Sequence, residues 1–590
     1  MVIIDTEIYS DYFLLSALQL STGKIKHFEA FPGQPLDQKA VAAFMANYTT
    51  ISFNGISFDL PLIALARTGA TPKQLKSLAD RIIKSNEPTS RILKAMEIRV
   101  PASWNHIDLI EVAPGKSSLK IYGGRLHAPK MQDLPIEPDA SISPDQREII
   151  KQYCVNDLHT TRLLYETLKP AIDLRASMGE QYGLDFRSKS DAQIAEALIT
   201  HELSRVTGKQ YRKPEIPESF GFKLRDPKII RFETKELQDV FSRILAERWT
   251  IGLNGSVAMP GWLKDQRIKI GRSEYQMGIG GLHSCETAQY LCARNGQLLA
   301  DFDVASYYPS IIMQQQLAPG ALGKPFLNLY QSLITRRLAA KNSGDKVVAD
   351  TLKIALNGSF GKFGSKYSTL YAPELLIQTT ITGQLALLML IERLEAEDIW
   401  VVSANTDGIV TYYDWLQEED VDQITSKWML DTTYSLEKTV YSAIASRDVN
   451  NYVAVKPNGK IKGKGIFAPP SLAKNPDCQI VYTAVAQCIA NDTPVEQTIT
   501  ECQDLTQFVT IRRVQGGAIW RGQKLGKAVR FYYSTEVDPT ECIHYATNSN
   551  RVPKSGGARP AMDLPEQFPS DVNYEAYIAD ARQLLKEVGA

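Results

Sequence analysis

Four carboxylates and one tyrosine near the start of the sequence have residue types and spacing suited to metal-dependent hydrolysis. The set comprises Asp5, Glu7, Asp59, Tyr153 and Asp157. Asp5 and Glu7 lie two apart on a predicted strand and so point to one face, while Tyr153 and Asp157 lie four apart on one helix face. Because Mg²⁺ prefers oxygen ligands, the four acids suit a pair of Mg²⁺ ions. Such a pair can activate a water against a phosphodiester, and the tyrosine hydroxyl could orient that water. Any one acid alone could equally be a helix cap or part of a solvated face.

A second pair of acids lies in the middle of the chain, at two predicted turns. Asp303 follows the apolar run Leu298–Ala300 and precedes a Ser-Tyr-Tyr-Pro corner. Such a corner suits a metal ion and a nucleotide together, and the amides of Ser306–Tyr308 are candidates for binding triphosphate oxygens. Asp407 lies in the sequence Asn-Thr-Asp-Gly, which is typical of a hairpin turn. Each segment alone could also be an ordinary structural turn.

Three basic residues are placed to bind a triphosphate. Arg337 and Lys341 lie four apart on one face of a predicted helix, 333–341, and Lys353 lies on the next one, 347–356. The turn between them predicts an αα-hairpin, which would bring the three cations close together. Cations in such a cluster match the charge of a triphosphate. A solvated basic helix face is the alternative interpretation.

Other predicted elements must position these groups. A helix begins at Ser143, where Pro144 and Gln146 complete a start signal. The remaining predicted elements are strands 2–4, 50–53, 399–404 and 409–413, helices Ala192–Arg205 and Lys235–Trp249, a lysine-rich hairpin at 451–465, a basic and aromatic tract at 512–533, and a terminal helix at 574–588.

The composition sets limits on the class of protein. The 590 residues predict three to five domains at ~100–200 residues each. With 66 basic and 66 acidic residues the net charge is zero, which weighs mildly against a nucleic-acid binder. It does not exclude one, because the local electric field rather than the total charge steers DNA.

The sequence shows no apolar run of ~18 residues, the length that a transmembrane helix needs. It also has acids where a signal peptide needs basic residues. The seven cysteines form no CxxC pair, so we expect reduced thiols in a cytoplasmic protein.

The order of the first acidic set resembles the DEDD proofreading exonucleases that carry a tyrosine in the last motif. The resemblance rests on the segments DTE at Asp5, NGISFD ending at Asp59, and YCVND from Tyr153 to Asp157. It implies that residues 1–190 form an RNase-H-like α/β domain that removes nucleotides from a 3′ end. It also implies that Asn54 and Phe58 contact DNA.

The central segments resemble family B DNA polymerases. Asp303–Ser310 is similar to motif A, Lys353–Gly361 to motif B and the Asp407 turn to motif C. In motif C, Asn405 replaces the first of the two usual aspartates. The resemblance implies that Asp303 and Asp407 hold two Mg²⁺ ions, with Mn²⁺ as a substitute, and that Tyr308 is the steric gate against a 2′-hydroxyl.

The same resemblance implies further contacts with the substrates. Those to the nucleotide are assigned to Ser306, Tyr307, Tyr308, Arg337, Lys341, Lys353, Asn357 and Phe360. Those to DNA are assigned to Gly280 and Gly281, in a glycine-rich segment resembling the exonuclease–polymerase linker, and to Tyr452, Lys462 and Lys464, in a segment resembling the primer grip.

Taken together, the motifs predict a phage-type family B DNA polymerase with its own 3′–5′ exonuclease, a multidomain α/β and α+β protein with a right-hand polymerase after the exonuclease domain. The expected partners are primer-template DNA and dNTPs, together with replisome proteins such as a helicase, a single-strand binding protein or a clamp. The expected location is a bacterial host cytoplasm, with no membrane.

The alternative functions are a nuclease with a degenerate palm, which Asn405 mildly favours, and a non-catalytic replisome scaffold. Short gaps between the motifs predict a nucleic-acid primer rather than a protein primer. The expected regions are the exonuclease domain 1–190, linker and first part of the palm 191–298, palm 299–320, fingers 321–360, palm 361–450, and thumb with primer-binding region 451–590.

Overall fold

The computed structural model describes residues 1–215 and 220–590. They divide into two compact units, each built of helices packed on sheets, which confirms a multidomain α/β organisation. The first unit contains residues 1–190, 470–480 and 500–577, and the second contains residues 191–469, 481–499 and 578–590. Residues 500–577, expected in the thumb region, therefore cluster with residues 1–190.

The first 190 residues form a sheet with helices on both sides. Their elements are β1 Val2–Ile8, β2 Phe13–Gln19, β3 Ile25–Ala30, α1 Gln38–Asn47, β4 Thr50–Ser52, α2 Asp59–Ala66, α3 Pro72–Lys84, α4 Thr89–Ala95, β5 His106–Asp108, α5 Leu119–Arg125 and α6 Pro144–Tyr182.

The sheet has the strand order β3-β2-β1-β4-β5. The strands β1, β2 and β3 are antiparallel, and β4 and β5 run parallel to β1. The alternation of β1 buries Ile4 on one side of the sheet and Ile3 on the other, in two separate cores. The predicted start of α6 is confirmed, since the Ser143 hydroxyl accepts from the Gln146 amide in a capping box.

The second unit contains the central part of the chain. Its elements are α7 Asp191–Thr207, β6 Phe220–Phe222, α8 Lys235–Ala246, β7 Trp249–Ile251, α9 Gly261–Asp265, β8 Ile268–Ile270, β9 Ser273–Met277, β10 Leu282–Ser284, β11 Gln289–Cys292, β12 Gln297–Val304, α10 Tyr307–Gln314, α11 Gly323–Ser343, α12 Lys346–Phe363, α13 Pro373–Glu395, β13 Trp400–Asn405, β14 Gly408–Asp414, α14 Glu418–Thr432, β15 Leu436–Tyr441, β16 Ala443–Asp448, β17 Asn451–Val455 and β18 Ile461–Gly463, with 3₁₀ helices at Trp415–Gln417 and Gly465–Phe467.

A seven-stranded sheet, β15-β12-β14-β13-β10-β9-β8, forms the centre of this unit. The predicted hairpin around Asp407 is confirmed as β13 and β14, and the predicted αα-hairpin is confirmed as α11 and α12. The glycine-rich segment is the turn of the β9–β10 hairpin rather than an isolated linker. The predicted helix Lys235–Trp249 is wrong at its end, because Glu247 is extended and the buried Trp249 begins a strand paired with β6.

The helix α13 lies in the core of the second unit. By length and composition it could cross a membrane, which the sequence pattern did not suggest, but 89% of its most apolar window is buried inside the protein. Trp428 of α14 donates to the carbonyl oxygen of Ala386 on α13 at 2.8 Å. Packing within the unit therefore accounts for the apolar surface of this helix.

The C-terminal part adds a four-stranded sheet, β21-β19-β20-β22, to the first unit. Its long strands β19 and β20 pair antiparallel. The C-terminal elements are α15 Gln479–Asn491, α16 Val495–Glu501, a 3₁₀ helix at Leu505–Gln507, β19 Thr510–Trp520, β20 Gln523–Tyr533, β21 His544–Tyr545, β22 Ala558–Pro560 and α17 Tyr574–Glu587. Among the described residues the seven cysteines form no disulfide.

Candidate active sites

The first candidate site lies at the end of β1, where the structure brings the predicted acids together. Asp5 and Glu7 project from the same face of the strand, and their carboxylate oxygens and the Cys154 sulfur all lie within 4.8 Å of one another. The thiol of Cys154 donates to Asp5 Oδ2 at 3.4 Å. Asp59 is fixed beside β1, because its Oδ1 accepts from the amide of Thr6 at 3.1 Å and from its hydroxyl at 2.6 Å.

The electrostatics of this cluster suit a cation. Burial raises the pKa of Asp5, and the neighbouring charges of Glu7, Asp59 and Asp157 raise it further. Burial also raises the pKa values of Glu7 and Asp157, and it raises that of Asp59 to about 7. Crowded carboxylates of this kind repel one another until a positive charge enters. The donor set is dominated by carboxylate oxygens, so it fits Mg²⁺.

Lys120 also belongs to this site, although no motif in the sequence predicts it. Its ammonium hydrogen-bonds the Tyr153 hydroxyl and lies 4.5 Å from the centre of that ring. Its charge lowers the pKa values of both Glu7 and Asp157 against the effect of burial. Lys120 lies in the first turn of α5, far along the chain from the acids. Its spacing therefore carries no signal, and only the packing of α5 against α6 reveals it.

The two residues expected to contact DNA lie in the loop that leads to Asp59. Asn54 has a positive φ of 68°, and its main-chain N–H donates to Asp108 Oδ1 at 2.8 Å. Phe58 is half-buried and packs against the core beside α2. Both precede Asp59 in the chain, and their contact with DNA stays a prediction.

The second candidate site is formed where β12 pairs with β14. Asp303 lies opposite Gly408, and the amide of Val304 donates to the Asp407 carbonyl at 2.7 Å. The turn between β13 and β14 consists of Thr406, with φ of 60°, and Asp407. Strand pairing thus places both predicted acids at one end of the sheet.

Burial and neighbouring charges shift the pKa values of both acids. Burial, followed by the charge of Asp301, raises the pKa of Asp303 to about 6. Desolvation likewise raises the pKa of Asp407, while Lys464 and Lys462 oppose these shifts. Two carboxylates in this setting, with oxygen as the only donor type, fit divalent Mg²⁺.

Lys462 forms an ion pair with the buried Asp301. Lys462 Nζ lies 2.9 Å from Asp301 Oδ2, and the Tyr441 hydroxyl donates to the same oxygen at 2.6 Å. Lys462 also donates to the Tyr441 hydroxyl at 2.8 Å. Tyr452 lies close enough for the Lys462 charge to lower the pKa of its phenol against the effect of burial. Asp301 had no assigned role in the sequence, although its position two residues before Asp303 puts both on one strand face.

Several of the predicted nucleotide-binding residues near β12 contact one another. Arg337 donates to the Ser306 hydroxyl at 3.0 Å, and Ser306 has a positive φ of 50°. The rings of Tyr308 and Phe360 stack with centroids 4.2 Å apart. The Tyr308 hydroxyl donates to the carbonyl of Gly280 at 2.7 Å, which ties the β9–β10 turn to this corner.

The other predicted contacts differ in their accessibility. The Tyr307 side chain is buried and donates to the Gly383 carbonyl at 2.6 Å, so only its main chain could reach a nucleotide. Gly281 packs against the Asp407 turn, since a Cβ there would meet Thr406 Oγ1 at 2.8 Å. Four further residues are exposed on their elements, namely Lys341 on α11, Lys353 and Asn357 on α12, and Lys464 after β18.

Asn405 uses its side chain for structure. Its amide nitrogen donates to the Val449 carbonyl at 3.1 Å and lies 3.4 Å from Asn450 Oδ1. Its amide oxygen accepts from the Thr406 hydroxyl at 3.1 Å. The residue therefore braces the turn that carries Asp407.

No family model and no curated protein matches the chain. Among solved structures the chain is similar to that of the family B DNA polymerase from the hyperthermophilic archaeon Pyrobaculum calidifontis. The match has 14% identity and a TM-score of 0.41, and it covers 100% of this chain and 77% of that one. A likeness at this level assigns neither fold nor family.

Proposed function

We propose that this chain is a family B, phage-type DNA polymerase that extends a primer on a template and carries a separate 3′–5′ exonuclease site for proofreading. The observation that carries the proposal is the pairing of β12 with β14, which sets Asp303 beside Asp407 at one sheet end. Arg337 and the stacked Tyr308 and Phe360 lie at the corner that follows β12. This is the set of groups that nucleotidyl transfer needs.

In the proposed synthesis site Asp303 and Asp407 would hold two Mg²⁺ ions. When bound, such ions would favour attack of the primer 3′-hydroxyl on the α-phosphate and would neutralise charge on the leaving pyrophosphate. Arg337, held by Ser306, supplies positive charge for the triphosphate. The Tyr308 ring stacks on Phe360, and its hydroxyl donates to the Gly280 carbonyl. In this position the ring would leave no room for the 2′-hydroxyl of a ribonucleotide. Lys462 and Lys464 supply charge for the primer backbone.

In the proposed exonuclease site the four carboxylates would hold the metal ions that activate the attacking water. Tyr153 orients that water, and Lys120 holds the Tyr153 hydroxyl in place. The strand order β3-β2-β1-β4-β5, with β4 and β5 parallel to β1, supports an RNase-H-like domain. Primer-template DNA and dNTPs are the proposed substrates, and replisome proteins are proposed partners.

A second candidate function is 3′–5′ exonuclease activity with an inactive synthesis site. It is favoured by Asn405, which stands where the resemblance expects a second aspartate at this turn. Its side chain forms hydrogen bonds with Val449 and Thr406. The first proposal is preferred because Asp303 and Asp407 still converge.

The test is a 5′-labelled primer annealed to a longer template, incubated with Mg²⁺ with and without dNTPs. We expect lengthening with dNTPs and shortening without them. Asp407→Asn should abolish lengthening only, whereas Asp420→Asn, at an exposed position on α14, should retain it. Shortening under every condition, unchanged in Asp407→Asn, would establish the second candidate.

A further inference from the structure

The helix that carries Lys120 packs on the C-terminal sheet within the first unit. Ile121 and Met131 form one buried cluster with Ile511 of β19 and Ala528 of β20. Gly124 permits this close approach, because a Cβ at that position would lie 2.9 Å from Ile511 Cγ2. Residues about four hundred positions later in the chain thus form the support for α5.

Arg530 on β20 fastens the segment that follows α5. The residue is 0% exposed, and its guanidinium donates to four main-chain oxygens. These are the carbonyls of Ala561 at 2.6 Å, Ala128 at 2.8 Å, Met562 at 3.0 Å and Pro129 at 3.3 Å. Burying a cation is costly unless hydrogen bonds satisfy it, and only the planar fork of arginine has enough directed donors for four carbonyls.

The fastened segment leads directly to the Lys120 ammonium. The Met131 amide donates to the Met562 carbonyl at 2.8 Å, which continues the attachment made by Arg530. The next residue, Gln132, accepts from Lys120 Nζ through its carbonyl at 3.0 Å. Asp133 lies 3.5 Å from the same nitrogen, and its other oxygen accepts from the Lys527 amide on β20 at 3.2 Å.

We propose that Arg530 is a positioning residue for the proposed exonuclease site. By holding residues 128–133 it places the Gln132 carbonyl and the Asp133 carboxylate, and these aim Lys120 at Tyr153, Glu7 and Asp157. The C-terminal sheet is then part of the hydrolytic site rather than a separate module. This inference rests on the proposed exonuclease function.

The test is a double-mutant cycle between Arg530→Lys and Lys120→Met, read as single-turnover shortening of a 5′-labelled single-stranded oligonucleotide with Mg²⁺. Arg530→Lys keeps the charge but cannot reach all four carbonyls. We expect its maximal rate to fall by about 10- to 100-fold, as for other groups that orient a metal site, with the half-saturating enzyme concentration unchanged. In the Lys120→Met background the same substitution should cost nothing further.

Matched variants keep the result interpretable. Arg512→Lys changes an arginine of the same sheet that pairs with Asp477 and should leave the rate unchanged. Asp133→Asn removes the charge partner of Lys120 without entering the core, and it should show the same non-additivity with Lys120→Met. If Arg530→Lys fails to fold, Asp133→Asn carries the test.

Four outcomes are decisive. If the fold-losses in maximal rate multiply in both double variants, or if Arg530→Lys shortens at the wild-type rate, the positioning role is overturned. The proposed exonuclease function is unaffected by either result. If the wild-type protein does not shorten the oligonucleotide, or if Asp5→Asn shortens it equally well, the proposed exonuclease function itself fails, and the inference falls with it.

Discussion

Gly408 lies directly opposite Asp303 across β12 and β14, and a Cβ atom at Gly408 would overlap Asp303 Oδ1. The glycine therefore leaves the space in which this carboxylate sits. Any side chain at this position must push either Asp303 or the Asp407 turn out of place.

Replacing Gly408 with alanine should thus damage DNA synthesis without touching the first unit. Displacing a reacting group by about 1 Å can cost on the order of 100-fold in rate, so we expect a loss of that order in primer extension. Shortening of a single-stranded oligonucleotide should be unchanged. The matched control is Gly320→Ala, where a Cβ would meet nothing within 4 Å. Extension at the wild-type rate by Gly408→Ala would show that the Asp303 position is not critical.

The ion pair beneath the synthesis site should respond asymmetrically to truncation. The Asp301 side chain is 6% exposed and that of Lys462 is 31% exposed. Lys462→Met leaves the more buried charge without its cation, and we expect it to reduce the free energy of unfolding by about 1–3 kcal/mol. Asp301→Asn leaves the more exposed ammonium unpaired and should cost less. Urea unfolding of both variants measures the difference, and equal or reversed losses would contradict this assignment.

The metal-free protein should lose stability as the pH rises from about 4 to about 7. Burial raises the pKa of Asp59 to about 7 from an ordinary value of 3.8, so the folded state binds the proton more tightly than the unfolded state in that range. The contribution of this proton is present in full below the unfolded pKa and is lost as the pH passes the folded pKa. The melting temperature should therefore be lower at pH 8 than at pH 5. This difference in melting temperature should be smaller in Asp59→Asn, which lacks the titrating carboxyl group.

Magnesium should reverse this trend at high pH. A ligand that binds only the folded state stabilises it by about 2.7 kcal/mol at 100 times its dissociation constant. Since the carboxylates must be ionised to bind the ion, added MgCl₂ should raise the melting temperature more at pH 8 than at pH 5. The same addition to Asp5→Asn should have a smaller effect. An equal rise at both pH values in the wild-type protein would argue against a carboxylate metal site.

Tyr308 should control the choice of sugar. Its ring stacks on Phe360, and its hydroxyl is bound to the Gly280 carbonyl. Tyr308→Val removes the flat surface and should raise ribonucleotide relative to deoxyribonucleotide incorporation by at least about 10-fold. Tyr308→Phe keeps the ring and should retain the selectivity, which single-nucleotide extension with dCTP and CTP measures. An unchanged ratio in Tyr308→Val would place the sugar elsewhere.

Local patterns in the sequence predicted the elements that carry the candidate acids. The period of two along β1 placed Asp5 and Glu7 on one face, and the start signal at Ser143 fixed the helix that carries Tyr153. The Asn-Thr-Asp-Gly sequence predicted the hairpin at Asp407, which β13 and β14 form. Each of these signals lies within a few residues of the group it positions.

Contacts between distant segments could not be predicted in the same way. Lys120 reaches Tyr153 only because α5 packs on α6, and Lys462 reaches Asp301 only after β17, β18 and β12 have assembled. Residues 500–577 contact residues 1–190 through groups such as Arg530, which donates to the Ala128 and Pro129 carbonyls 402 and 401 residues away along the chain. A single sequence holds no spacing rule for such pairs.

The most direct measurement of the central claim uses a primer with one label at its 5′ end and a second label on its mismatched 3′-terminal nucleotide, annealed to template with Mg²⁺ and dNTPs. Loss of the 3′ label reports hydrolysis, and the length of the 5′-labelled strand reports extension. The wild-type protein should release the labelled nucleotide as a monophosphate and then extend the corrected end. Asp407→Asn should release the 3′ label without extension, and Asp5→Asn should retain it. Release by Asp5→Asn at the wild-type rate, or extension by Asp407→Asn, would contradict the assignment of hydrolysis and synthesis to these two sites.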